Sequence, residues 1–274
     1  MKRWRWVAGL LIGMALGAAN AAPVPVAPVE DTAAQIMRHA GESRLVVLGE
    51  LHGTREMPQL VQALAEAYAG QGTPLHLGLE LPATENARLA TYLSSNGDAA
   101  ARQAVRATSY WRTAGKPHDG RRNEDTLALI EAVRVLRAQG HDVQVVGFDQ
   151  VLPAAQAGTG ARDAAMADAL RAHHATLPSA GRLLVLTGNV HAMRTQPEGL
   201  PWPPMTALLL DLQPYAVRVD ARSGQAWGCT QHRQCGARSL SAYTGPSPLQ
   251  KTGSDRSYDL QIWLPRFSVA RWVE

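Results

Sequence analysis

Short, continuous apolar runs alternate with longer amphipathic stretches along most of this chain. "RLVVLGE", ending at Glu50, "PLHLGLEL", ending near Leu81, "HDVQVVGFD", ending at Asp149, and "GRLLVLTGNVHA", ending at Ala192, read as buried strands. Between them "MPQLVQALAEAYA", "ATENARLATYL", "AAARQAVRA", "NEDTLALIEAVRVLRAQ" and "ARDAAMADALRAHHA" carry helical patterning, the fourth stopped by Gly140. Buried strands separated by helices predict an α/β fold: a mainly parallel sheet flanked by helices on both faces. The last third differs. "TALLLDLQP", "YAVRVDARSGQAWGC" and "YDLQIWLPRFSVARW" are strand-like with Gly and Pro turns, and are expected to extend the sheet, partly antiparallel, at one edge.

The start of the chain changes the reading of its charge. Lys2, Arg3 and Arg5 precede an apolar stretch from about Val7 to Ala18 and then Ala19-Asn20-Ala21, the order of a secretory signal peptide over 1–21. The apolar part is shorter than the roughly 20 residues of a spanning helix, so no stable membrane span is expected after cleavage. Residues 22–31, with "PVPVAPVED", read as a proline-spaced linker, and 32–274 as a single domain. The formal net charge of +4 loses three basic residues with the leader and becomes +1. The pI of about 9.3 is therefore largely a property of the leader, and nucleic acid is not an expected partner. The chain is expected to be exported, periplasmic or secreted. Its two cysteines, Cys229 and Cys235, then read as a disulfide closing one short loop; with His232 between them they would make only an incomplete zinc site.

Candidate chemistry follows from the strand ends. In an open α/β sheet, ligands collect outside the carboxyl ends of parallel strands. There the first strand delivers Gly49-Glu50-Leu51-His52-Gly53, the second Glu80, the third Asp149 and the fourth Gly188-Asn189-Val190-His191. A spacing of two puts Glu50 and His52 on one face of an extended chain. His191 occupies the matching place on its own strand. A general base needs an imidazole held by a second group, and a water or a metal needs several convergent lone pairs. Glu50, His52, Glu80 and His191 supply either. Taken singly, Glu80 is a solvated strand end, His191 an edge histidine and Asp149 a turn cap; their coincidence at equivalent strand ends is what makes a site. In "KPHDGRRNED" the plain reading is a charged turn with Asn123 as helix N-cap. Trp111 just before it anchors the segment, and Arg121, brought over the site, would bind a substrate carboxylate or a developing oxyanion. No G-x-S-x-G elbow, Gly-rich phosphate loop with Lys, or dinucleotide fingerprint is present in the sequence.

"LGELHGTRE", "GLELP" and "TGNVHA" together resemble the superfamily that groups the ChaN-like haem-binding lipoproteins, the erythromycin esterases, the TraB and PrgY proteins and the Tiki metalloproteases. Its hallmark is a pair of G-x-x-H motifs, here Gly49 to His52 and Gly188 to His191, with an acid on an intervening strand matching Glu80. The likeness spans about Arg44 to Ala192, including "DGR" and "RDAAMA". "HGTRE" is similar to the esterase motif, with one residue fewer between Glu50 and His52; length and order look more like the ChaN-like group. The resemblance implies three things in turn: water activation by Glu50 and His52 on an ester, lactone or peptide; haem held by His52 and His191; or a divalent metal held by Glu50, His52, Glu80 and His191. The leading expectation is a hydrolase-like protein acting on a small-molecule or peptide substrate, with Glu50, His52, Glu80, His191 and Arg121 as its catalytic set. The alternative is a haem- or metal-binding uptake protein without turnover.

Overall fold

The computed structural model describes residues 29–112, 118–152, 160–229, 234–250 and 257–273. The leader and most of the linker fall outside these residues. Val29–Asp31, read as the end of the linker, instead open the first helix, α1 (Val29–Ala40). The prolines before it disguised a sound helical pattern. Thr32, Ala33, Ile36 and Ala40 are buried on one face, acids stand in the first turn and bases in the last.

The four expected strands form as β1 (Leu45–Glu50), β2 (Leu75–Pro82), β3 (Val143–Asp149) and β4 (Arg182–Gly188). The expected helices form as α2 (Glu56–Gly70), α3 (Asn86–Leu93), α4 (Ala99–Arg106), α5 (Glu124–Ala138) and α6 (Gly160–Ala175). With β5 (Tyr215–Ala221), β8 (Leu249–Gln250) and β9 (Leu260–Leu264) the strands build a seven-stranded sheet in the order β3-β2-β4-β1-β5-β9-β8. All its neighbours are parallel except β8 on β9. The C-terminal extension is thus antiparallel only at its last strand. β6 (Gln225–Cys229) and β7 (Cys235–Ser239) leave the sheet and pair as a separate antiparallel ribbon. "TALLLDLQ" is not a strand. Met205–Leu212 form a 3-10 helix after Pro203-Pro204, because a short apolar run carries no period that separates strand from buried helix.

Alternation along the strands divides the core in two. Val46, Leu48, Leu184 and Leu186 pack with α1, α2, α3 and α5 on one face; Leu45, Val47, Leu183 and Val185 pack with α6 and the 3-10 helix on the other. The chain steps from β1 outward to β3 under the first helices, then reverses through α6 on the opposite face to place β4 between β2 and β1. A right-handed crossover requires this change of face when the direction of travel reverses. The carboxyl ends of β3, β2, β4 and β1 therefore lie side by side. At the outer edge of β3 the Asn86 amide binds both polar groups of Gly147, donating to its carbonyl (2.9 Å) and accepting from its N–H (2.6 Å).

Candidate active site

The two G-x-x-H turns need each other's glycine. A Cβ on Gly49 would lie 2.9 Å from Ala192 Cβ and 3.1 Å from Asn189 Oδ1; one on Gly188 would lie 3.0 Å from His52 Nε2. Each motif leaves the room that the other's turn occupies. Asn189 N–H donates to Glu50 O at 3.0 Å, which locks the turns together.

Within this frame His52 Nδ1 lies 2.9 Å from Glu50 Oε1, and its Nε2 faces Glu80 Oε2 at 3.8 Å. Glu80 sits where the β2–β3 ladder slips between Leu79 and Pro82, an irregularity that re-aims a strand-end side chain. Its Oε2 accepts from Thr187 Oγ1 and Gly188 N–H, both at 2.8 Å; its Oε1 accepts from Arg121 Nη1 (2.9 Å) and Arg162 Nη2 (2.7 Å). Asp149 joins the same pair of guanidiniums: Arg121 Nη1 and Arg162 Nη2 reach its Oδ2 at 2.9 Å, and Arg162 Nε its Oδ1 at 2.9 Å. His191 lies beyond. Its Nε2 is 2.8 Å from Arg162 Nη1 and its Nδ1 2.6 Å from Asp163 Oδ1, which also accepts from Met205 N–H at 2.8 Å. Since a guanidinium only donates, His191 Nε2 accepts and its proton sits on Nδ1. His52 and His191 are therefore joined through Glu80 and Arg162 instead of meeting directly.

The electrostatics follow from these contacts. Burial raises the Glu50 pKa, with the His52 contact pulling the other way. Burial opposes a charge on His52, but the Glu80 and Glu50 carboxylates outweigh it and raise the imidazole above its ordinary value. Glu80 is 95% buried. Burial alone would protonate it, yet Arg121 foremost, with His52 and Arg162, holds it ionised, well below the usual carboxylate range.

All five expected site residues converge, and Asp149 with them. Arg121, expected to bind a substrate carboxylate or a developing oxyanion, places its Nη1 on Glu80 and Asp149 and its Nε (2.9 Å) and Nη2 (2.7 Å) on Asp119. Asn123 caps α5 through Thr126 N–H (2.7 Å) and holds Gly120 O with its amide (2.7 Å), and Trp111 is fully buried beneath. Arg122 turns away to the Tyr110 ring. Arg162 and Asp163 open the "RDAAMA" stretch that belongs to the resemblance, but were not among the expected site residues. In the first turn of α6 they look like ordinary helix-end charges, and only the fold brings them to β2 and β4.

The donor set does not suit a resident cation. Both Glu80 oxygens are engaged, two guanidiniums stand where a cation would be repelled, and among the described residues no group of three His, Cys, Asp or Glu side chains is arranged to hold a metal. Nor does His191 present a free ring nitrogen to haem iron. Behind the site a cavity of about 20 Å³ is lined by Glu50, Thr54, Glu80, Arg121 and Asn123, room for one water.

A mainly parallel α/β sheet with an acid–imidazole cluster at its carboxyl edge is thus the class of protein defined here. Solved structures share the fold. A succinoglycan biosynthesis protein aligns over 89% of this chain and 93% of its own at a TM-score of 0.64 and 12% identity. A Bacillus cereus protein aligns over 90% and 94% at 0.59 and 11%. An erythromycin esterase mutant, EreC, in its open conformation aligns over 76% and 79% at 0.54 and 14%. No family model and no curated protein sequence matches this chain. The Cys229–Cys235 disulfide is formed, and among the described residues no helix is long and apolar enough to cross a membrane.

Proposed function

We propose that the protein is an exported hydrolase that activates water at His52 without a resident metal, acting on an ester, lactone or peptide. The observation that carries this is the Glu50–His52 pair. With Nδ1 donating to Glu50, the neutral ring directs its Nε2 lone pair to the space beside Gly188 and Glu80. There it takes the proton of a water, the resulting hydroxide adds to the substrate carbonyl, and the imidazolium returns the proton to the leaving group. Glu50 and Glu80 stabilise that imidazolium as it forms. Arg121 and Arg162 keep Glu80 ionised for this role. The structural likeness to an erythromycin esterase, and the leader followed by a disulfide-bonded domain, support the reading.

His52→Ala removes the proton acceptor, and hydrolysis across an esterase, lactonase and peptidase panel is expected to fall by about 10²–10⁴-fold. The thermal midpoint should stay nearly unchanged; equal turnover by the variant would refute the assignment. The binding-only alternative predicts instead a shifted Soret band when hemin is added, lost in His52→Ala and His191→Ala.

A further inference from the structure

Trp227, on the β6–β7 ribbon, touches both loops that deliver the site. Its backbone N–H donates to Gly53 O at 3.3 Å, next to His52, and its indole Nε1–H donates to His118 O at 2.9 Å, three residues before Arg121. Its ring stacks on His118 (centroids 5.4 Å, planes 13° apart) and meets Trp272 edge-on at 4.4 Å. Beneath it the loops are pressed backbone to backbone. Gly53 (φ 72°) and Gly120 (φ 96°) pack so closely that a Cβ on Gly120 would lie 2.7 Å from Gly53 Cα, and one on Gly53 2.6 Å from Trp227 Cβ. Glycine is required on both sides of this approach. The ribbon belongs to a separate sheet, and Cys229–Cys235 ties its strands opposite each other, two residues from Trp227.

We infer that Trp227 is a positioning residue for the proposed reaction: it braces the His52–Gly53 turn against the His118–Arg121 loop, and the disulfide-closed ribbon holds the brace in place. The inference rests on the hydrolase reading. A misplacement of about 1 Å at a reacting group costs about 10²-fold in rate, so a brace across these two loops acts on turnover more than on substrate affinity. The bond from Ala270 N–H to Gly53 O (3.0 Å) and the bridge between Asn123 and Trp272 keep the loops folded without the indole. Losing Trp227 therefore loosens the site and leaves the domain standing.

The test compares wild type, Trp227→Ala, Trp227→Phe and His52→Ala in the full chain, with kcat and KM on the best substrate of the panel. Trp227→Ala should lower kcat about tenfold or more with KM within about threefold. Trp227→Phe, which keeps the ring stack, should recover most of kcat. Opening the disulfide with excess dithiol, which yields two protein thiols and the cyclic oxidised reagent, should lower kcat in wild type and much less in Trp227→Ala. An unchanged kcat in Trp227→Ala, beside an inactive His52→Ala, overturns the positioning role and leaves the hydrolase reading intact. An active His52→Ala instead removes the hydrolase reading itself. Hydrogen exchange decides independently of turnover: faster exchange confined to residues 51–54 and 118–122 in Trp227→Ala is the expected result, and unchanged exchange there overturns the brace.

Discussion

The protein carries two acid-held imidazoles that differ in one neighbour. In each, a carboxylate lies on Nδ1: Glu50 on His52 at 2.9 Å and Asp163 on His191 at 2.6 Å. At Nε2 they part company. His52 faces the Glu80 carboxylate at 3.8 Å, and His191 faces the Arg162 guanidinium at 2.8 Å. The third group decides the behaviour of the pair. A carboxylate there favours the imidazolium and makes His52 a strong base that releases its proton readily only at higher pH, whereas a guanidinium demands a lone pair and holds His191 as an acceptor. Glu80 and Arg162 are themselves partners, so both imidazoles are set by one ion pair.

Three substitutions break or sharpen this contrast. Glu80→Gln has the largest expected effect. It strips the shared carboxylate from two part-buried guanidiniums, which keep Asp149 and Asp119, and should cost about 3 kcal/mol of unfolding free energy in a denaturant titration. It should also flatten the acid limb of stability: the Glu80 pKa is depressed in the fold, so its contribution is present above the ordinary 4.5 and lost as pH falls through the folded value. Asp119, held at about 2 chiefly by Arg121 against burial, keeps part of that limb in the variant. Asp163→Ala comes next. It leaves the Met205 N–H and His191 Nδ1–H without their acceptor and should cost about 1–3 kcal/mol, with a smaller effect on turnover than His52→Ala. Glu50→Gln has the mildest effect. Because a raised His52 pKa puts the rise of base-dependent activity above pH 6.5, neutralising Glu50 should move that rise to lower pH. A pH–rate profile that does not move would mean that Glu80 alone sets the base.

The four strands and most of the helices were legible because their periods are unambiguous, and Glu50, His52, Glu80 and His191 were legible because strand ends converge by rule. Arg162 and Asp163 were not. Their significance depends on the reversal of winding at β3, which places the start of α6 over β2 and β4, and a single chain read in order does not state where it reverses. Trp227 was hidden for a related reason: its strand looked like more sheet, and its separation into a ribbon over the His52 turn is a tertiary choice. The 3-10 helix over Met205–Leu212 and the start of α1 at Val29 escaped for local reasons, an apolar run without a period and a helix screened by prolines.

Asn86 has a consequence outside the site. A flanking strand offers its outer row of amides and carbonyls to any other extended chain, and such rows are where folded proteins template one another into dimers and fibres. On β3 the side-chain amide of Asn86 already fills both the donor and the acceptor of Gly147. An incoming strand would have to displace it before gaining its bonds there, so the carboxyl end of this edge is guarded against growth by an asparagine.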